Sequence, residues 1–272
     1  GNFIMVGNTS DTIMGKLYNR LTLVGTDASG NFLWRKSYGD TGFWYVNSIL
    51  TRRGPVLTYS NYFYHTSAVQ DSQGRYYTAL LKINYNGDTL WQKFLYSTTY
   101  SYTPGVNLYI DFLTKSIDGG ILMTGTYEDF NLHQRLCVVL KTDVNGNELW
   151  RKTITKPSPH VITGYALIQD KSSKRIIVTG HQYLDTGTYG SVLILDSLGN
   201  ELTRTKLIDE ECVFTDLIQL KDGTFMTCGA IDMHSDVGGF PRDKGIILNF
   251  DINGYQIWSK TYDTLSRFAG IY

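Results

Sequence analysis

The chain has 272 residues, 25 Lys plus Arg against 25 Asp plus Glu, a formal net charge of zero, and 42% hydrophobic residues. Charged residues make up 18%, below the roughly 25% of an average soluble chain, which argues against disorder. The neutral balance gives no general attraction to nucleic acid or to an anionic membrane, and no apolar run approaches the ~18 residues of a membrane helix.

Asp outnumbers Glu by 20 to 5, and Gly (27) and Tyr (20) are abundant. Asp and Gly serve turns, Tyr serves strands, and Glu serves helices, so the composition points to an all-β chain. Gly1 reads as the scar of a removed tag, so a leader sequence is expected to have been cut away.

The first apolar strand is NFIMVG at Asn2–Gly7. A second, LTLVGT, runs into DASGNFLWRK at Asp27–Lys36, and VNSILT follows at Val46–Thr51. The same parts then recur. ALLKIN leads into NYNGDTLWQK at Asn84–Lys93, then IDFLT, the turn SIDGG and the strand ILMTG. CVVLKT leads into DVNGNELWRK at Asp143–Lys152, then YALIQ and IIVTG. VLILDS leads into DSLGNELTRT at Asp196–Thr205, which has lost the Trp and Lys, then TDLIQ, KDGT and FMTCG. GIILNF leads into DINGYQIWSK at Asp251–Lys260, and AGIY follows at Ala269–Tyr272.

The shared pattern is D/N-x-x-G-x-x-x-W-x-K, with glycines at 30, 87, 146, 199 and 254, spaced 57, 59, 53 and 55 apart. In each unit the D/N-x-x-G is a hairpin: Asp bonds its own backbone and Gly supplies a positive φ. The period fits one four-stranded propeller blade. NFIMVG is the strand that should follow the short turn, and AGIY is the strand that should precede it. The expected fold is therefore a five-bladed β-propeller whose first blade is closed by N- and C-terminal strands. Its blades are assigned to 267–272 plus 1–45, 46–106, 107–160, 161–211 and 212–266. Trp34, Trp91, Trp150 and Trp258 recur at one repeat position, as expected of packing between blades.

The D-x-x-G-x-x-x-W pattern resembles the tryptophan-docking repeat of quinoprotein-type (PQQ-like) propellers. It also resembles the hairpin-plus-Trp repeats of exported bacterial propeller proteins. The resemblance implies a propeller exported to the periplasm or cell surface. The chain has five units and no adjacent cysteine pair, so no quinone or other cofactor is expected.

Strand alternation places the D-x-x-G hairpins on one face and the longer connections on the other, where function is usually carried. Those connections are read as Asn8–Asn19, Ser60–Tyr77, Thr126–Arg135, His181–Gly190 and Ala230–Lys244. This face is expected to hold Trp44, Tyr62, Tyr64, His65, Tyr100, Tyr102, Tyr127, His133, His160, His181, Tyr183 and His234. Tyr and Trp offer a flat apolar body with a polar tip, suited to a glycan, peptide or protein partner.

Aligning the inner strands puts Ser48, Asp111, Ala166, Asp216 and Gly270 at equivalent places. Five-bladed glycosidases resembling arabinanases place carboxylates near this location. The alternative to a binding module is thus a glycoside hydrolase or lyase acting through Asp111 and Asp216, with Glu211 in support. No metal site is expected: the histidines are scattered, and DMHSD at Asp232–Asp236 lacks the spacing of a calcium loop. Cys137, Cys212 and Cys228 lack metal-ligand spacing and read as small buried residues. A monomer with no membrane span is expected.

Overall fold

In a computed structural model of the chain, the described residues are 3–13, 15–39, 43–45, 56–72, 76–95, 106–129, 134–154, 162–184, 186–208, 210–231 and 244–262. They hold no helix, and none is therefore long and apolar enough to cross a membrane.

The strands form five antiparallel sheets. The first is β1 (Phe3–Ile13), β2 (Lys16–Thr26) and β3 (Phe32–Tyr38), in that order. The second contains β4 (Phe43–Tyr45), β5 (Val56–Thr58), β6 (Tyr62–Asp71), β7 (Tyr76–Asn84) and β8 (Thr89–Leu95). The third is β9 (Val106–Lys115), β10 (Ile121–Asp129), β11 (Gln134–Thr142) and β12 (Glu148–Ile154). The fourth is β13 (Ile162–Gln169), β14 (Ile176–Leu184), β15 (Gly187–Leu195) and β16 (Glu201–Lys206). The fifth is β17 (Cys212–Gln219), β18 (Phe225–Ile231), β19 (Lys244–Phe250) and β20 (Gln256–Tyr262).

Four apolar clusters lie between consecutive sheets, so the sheets pack in series, an arrangement that fits five propeller blades. Representative members are Leu23 and Phe63 between the first and second sheets, and Leu80 and Ile121 between the second and third. Leu122 and Ile176 lie between the third and fourth sheets, and Ile177 and Phe225 between the fourth and fifth.

The hairpins form as their residues require. Asp27 Oδ1 accepts the amides of Ser29 and Asn31, each at 2.8 Å, and Gly30 turns at φ 84°. Asn84, Asp143, Asp196 and Asp251 repeat this geometry. The side chain of Asn31, joined by backbone amides, holds Asp27 below the usual carboxylate range, and Asn147 does the same for Asp143. Much of the Asp excess is therefore turn chemistry.

Three of these hairpins also receive a Trp from the preceding sheet. A Cβ on Gly87 would lie 2.8 Å from Trp34, one on Gly146 2.4 Å from Trp91, and one on Gly199 2.7 Å from Trp150. Only glycine leaves room for the indole of one sheet to approach the hairpin of the next this closely. The Lys two residues beyond the Trp follows it: Lys36 binds Asp88, and Lys152 Nζ donates to Asn200 Oδ1 at 2.9 Å.

β4 pairs with β6 and so belongs to the second sheet, although 43–45 was assigned to the first blade. The expected inner strand at 46–51 lies outside the described residues, as does 263–272, which includes the strand expected to close the first blade.

Candidate functional site

The inner strands carry a shared irregularity that shapes the candidate site. β9, β13 and β17 each carry a β-bulge, at Asp111, Tyr165 and Thr215 respectively. The glycine ending the "TG" or "CG" pair of the adjoining strand sits opposite the residue before the bulge: Gly125 opposite Ile110, Gly180 opposite Gly164, Gly229 opposite Phe214. A Cβ on these glycines would lie 1.8, 1.9 and 1.9 Å from the carbonyl oxygens of Tyr109, Thr163 and Val213. The repeated glycine is thus a bulge device, since an inner-strand carbonyl fills the space of its missing side chain.

This register corrects the alignment of the carboxylates. Asp111 is equivalent to Tyr165 and Thr215, whereas Asp216 is equivalent to Phe112 and Ala166. One slipped residue separates the two positions, because the sequence pattern did not reveal the bulge. Asp111 is buried. Asp216 is exposed, and its Oδ1 accepts the next amide, that of Leu217, at 2.8 Å. Glu211 turns away to another task. Its Oε1 accepts the Thr188 amide at 3.3 Å and fills the space beside Gly187 in the β14–β15 hairpin.

Several residues read as loop residues lie in strands. Tyr62, Tyr64 and His65 are on β6, Tyr127 on β10, and His181 and Tyr183 on β14. Strands continue past their apolar centres because Tyr and Thr suit a pleated surface, a signal that polarity masked. Tyr64 and His65 are buried. Tyr64 packs against Trp91 at 5.6 Å between ring centroids and donates to the Val144 carbonyl at 3.1 Å, so it joins the second sheet to the third. Tyr62 stacks on Tyr59 at 4.9 Å, with Lys82 Nζ 3.8 Å above the Tyr62 ring. This cluster is therefore a packing feature at the hairpin end, not part of the loop face.

His181 and Tyr183 are brought together. Their rings meet edge to face at 4.7 Å, and Tyr165 lies 5.2 Å from His181. His181 is buried and Tyr183 is exposed. His181 is paired across the sheet with Gly190, a position that Cys212 and Phe214 of the fifth sheet approach. The trio thus occupies the end of the junction between the fourth and fifth sheets that lies away from the D-x-x-G hairpins. Sequence reasoning missed Tyr165; the bulge, shared with Asp111 and Thr215, is the feature that places it.

Trp44 lies on β4. Tyr100, Tyr102, His133, His160, His234 and the Asp232–Asp236 segment lie outside the described residues. Among the described residues, no group of three His, Cys, Asp or Glu side chains could hold a metal ion. Cys137 and Cys212 are buried free thiols pushed up to about 12 by burial, consistent with packing residues. An open groove of about 600 Å³ lies between the outer strands β8 and β12, lined in part by Lys93, Phe94, Glu148 and Arg151, on the sheet wall rather than the loop face.

No family model and no curated protein matches the chain. Among solved structures, the chain is similar to a protein described as an exo-beta-1,3-galactanase from Bifidobacterium bifidum, at 12% identity and TM-score 0.45, covering 95% of this chain and 92% of that one. It is similar to an endo-1,4-beta-xylanase from Bacteroides thetaiotaomicron at 12% identity and TM-score 0.40, covering 95% and 94%. It is also similar to a Synechocystis apocarotenoid oxygenase at 10% identity and TM-score 0.47, covering 97% of this chain and 61% of that one. Likeness at this level transfers no activity.

Proposed function

We propose that the chain is a closed five-bladed β-propeller, its first blade completed by a strand at 267–272, and that it serves as an exported binding module. Its place is the periplasm or cell surface, and it acts as a monomer. Its loop-bearing end takes a glycan, with a peptide or protein as the other partner class. The observation that carries this reading is the Tyr165–His181–Tyr183 trio, in which a buried imidazole braces an exposed Tyr ring. A ring held in one orientation binds the apolar face of a sugar with little loss of side-chain freedom.

The alternative, a glycoside hydrolase or lyase, needs two carboxylates about 5–10 Å apart across the scissile bond. Asp111 and Asp216 are out of register with each other, and Glu211 is engaged by a backbone amide, so no observation favours it.

Thermal unfolding against a panel of oligosaccharides tests the proposal. A ligand at 100 times its dissociation constant adds roughly 2.7 kcal/mol, a readily measured shift. The shift is expected to vanish in Tyr183→Ala and to persist in the Asp111→Asn/Asp216→Asn double variant. Loss in the double variant alone would move the site to the channel and reopen the hydrolase. Silence across the panel would sink the glycan reading.

A further inference from the structure

The fifth sheet and the first each leave exposed a wall that is buried elsewhere in the repeat. Phe3 is the counterpart of Phe63, Ile121, Ile176 and Phe225, which face the preceding sheet. Those four are 0% exposed, while Phe3 is 59% exposed. On the fifth sheet, Ile218, Met226, Asn249 and Trp258 are cross-strand partners and so share the face that elsewhere meets the following sheet. Ile218 is 51% and Trp258 43% exposed. The first hairpin also lacks what the next three receive. A Cβ on Gly30 meets no heavy atom within 4 Å, whereas those on Gly87, Gly146 and Gly199 meet an indole.

We propose that these two walls dock on each other within one chain through a further latch, with the Trp258 ring seated on Gly30 and the Lys260 ammonium bound to the Asn31 side-chain carbonyl. Three observations single out the chain's own first sheet as the occupant. The Trp-x-Lys donor on β20 has the spacing of Trp34–Lys36 and Trp150–Lys152. The acceptor hairpin has its glycine at φ 84°, against 79° at Gly87 and Gly199, and Asn31 stands where Asn200 accepts from Lys152. The exposed apolar side chains on both walls belong to the faces that the repeat directs at each other.

The inference rests on the closed-ring reading, and the test separates the two. Asn31→Cys/Lys260→Cys is made in the full chain with Cys228→Ser; Cys137 and Cys212 are buried and will not compete. A Lys–Asn contact holds the two α-carbons beyond the reach of a direct disulfide, so the probe is a bis-maleimide spanning about 8 Å, which should link the pair almost completely at monomer mass. In parallel, the emission lost in Trp258→Phe should be blue-shifted and protected from acrylamide. A crosslinked dimer would assign the wall to a second copy and overturn the proposal. Free thiols with a solvent-exposed Trp258 would also overturn it. In that case X-ray scattering decides what stands. A radius of gyration near the roughly 19 Å of a compact chain of this length would remove only the latch, and an extended one would remove the ring as well.

Discussion

The junction between the third and fourth sheets and the junction between the fourth and fifth solve one problem in different ways. In the former, Trp150 lies on Gly199 and Lys152 binds Asn200. In the latter the repeat offers Thr203 and Thr205 in place of Trp and Lys, and the atoms nearest a Cβ on the hairpin glycine, Gly254, belong to Thr205 and Ile194. Polar contacts stand in. Arg175 Nη1 reaches Asn253 Oδ1 at 3.1 Å and the Ile252 carbonyl at 3.4 Å, and Gln219 donates to Asp170 Oδ1 at 2.6 Å. The two junctions share an apolar cluster and differ in the latch, so a repeat can lose its signature pair and keep its place in the series.

Removing the aromatic latch should give the largest effect. Trp91→Ala strips an indole wedged between Gly146 and Tyr64 and is expected to cost about 3 kcal/mol, since large-to-small changes lose both burial and packing. Thr203→Ala, at the equivalent position of the fourth repeat, should cost less than ~0.5 kcal/mol. Urea unfolding of both variants measures the contrast. Equal losses would mean that the Trp contributes no more than the residue that replaced it.

The latch shows which parts of this molecule could be read in advance. The Trp spacing and the Asp-Gly pairs announce hairpins and inter-sheet packing, because a glycine with positive φ and a carboxylate beside two amides leave a local pattern. The bulge at Asp111, Tyr165 and Thr215 leaves none on its own strand. Its trace is a glycine on the adjoining strand, Gly125, Gly180 or Gly229, whose purpose is evident only once the carbonyl opposite is placed. That is why Asp111 was aligned one residue away from its true counterpart. It is also why Tyr165 escaped notice while His181 and Tyr183, read as loop residues, were singled out. Tyr64 and Tyr183 are both strand tyrosines with one polar and one apolar neighbour, His65 and Phe63 for the first and Gln182 and Leu184 for the second, yet one is buried against Trp91 and the other is exposed. Only the neighbouring sheet distinguishes them.

The polar side of the comparison should respond to pH. Asp170 is buried, and burial alone would raise its pKa, but hydrogen bonds from Ser173, Ser172 and Gln219 hold it well below the usual carboxylate range. A depressed folded-state pKa means stability that is fully present above the unfolded value of about 4 and is lost as the pH falls through the folded one. Asp170→Asn should therefore cost about 2 kcal/mol at pH 7, the scale of hydrogen bonds to a charged group. The gap from wild type should hold to about pH 5 and narrow below about 4. Unfolding at neutral and acidic pH checks this, and a gap that widens in acid would reverse the assignment.

Grafting the missing pair sharpens the contrast further. Thr203→Trp/Thr205→Lys places an indole at Gly254, φ 83°, where Thr205 and Ile194 now approach the glycine. A gain of about 1 kcal/mol is expected, because the ring adds apolar area buried between the two sheets, as Trp150 does at the preceding junction. A loss would show that the fourth sheet has settled at a distance too short for the ring, and that the replacement is a requirement of this junction.

The smallest effect decides whether the polar contacts substitute for the latch or merely accompany it. Arg175→Ala removes hydrogen bonds made at a partly exposed side chain and should cost about 0.5–1 kcal/mol in the wild type. In the Thr203→Trp/Thr205→Lys background the same change should cost less, because the hairpin would already be held from the other side. Such a difference is a coupling energy, measured by a double-mutant cycle on urea midpoints. An equal cost in both backgrounds would make Arg175 an independent contact. The fifth sheet would then be held by its apolar cluster and the Gln219–Asp170 bond, and Arg175 would not compensate for the loss of Trp from the fourth repeat.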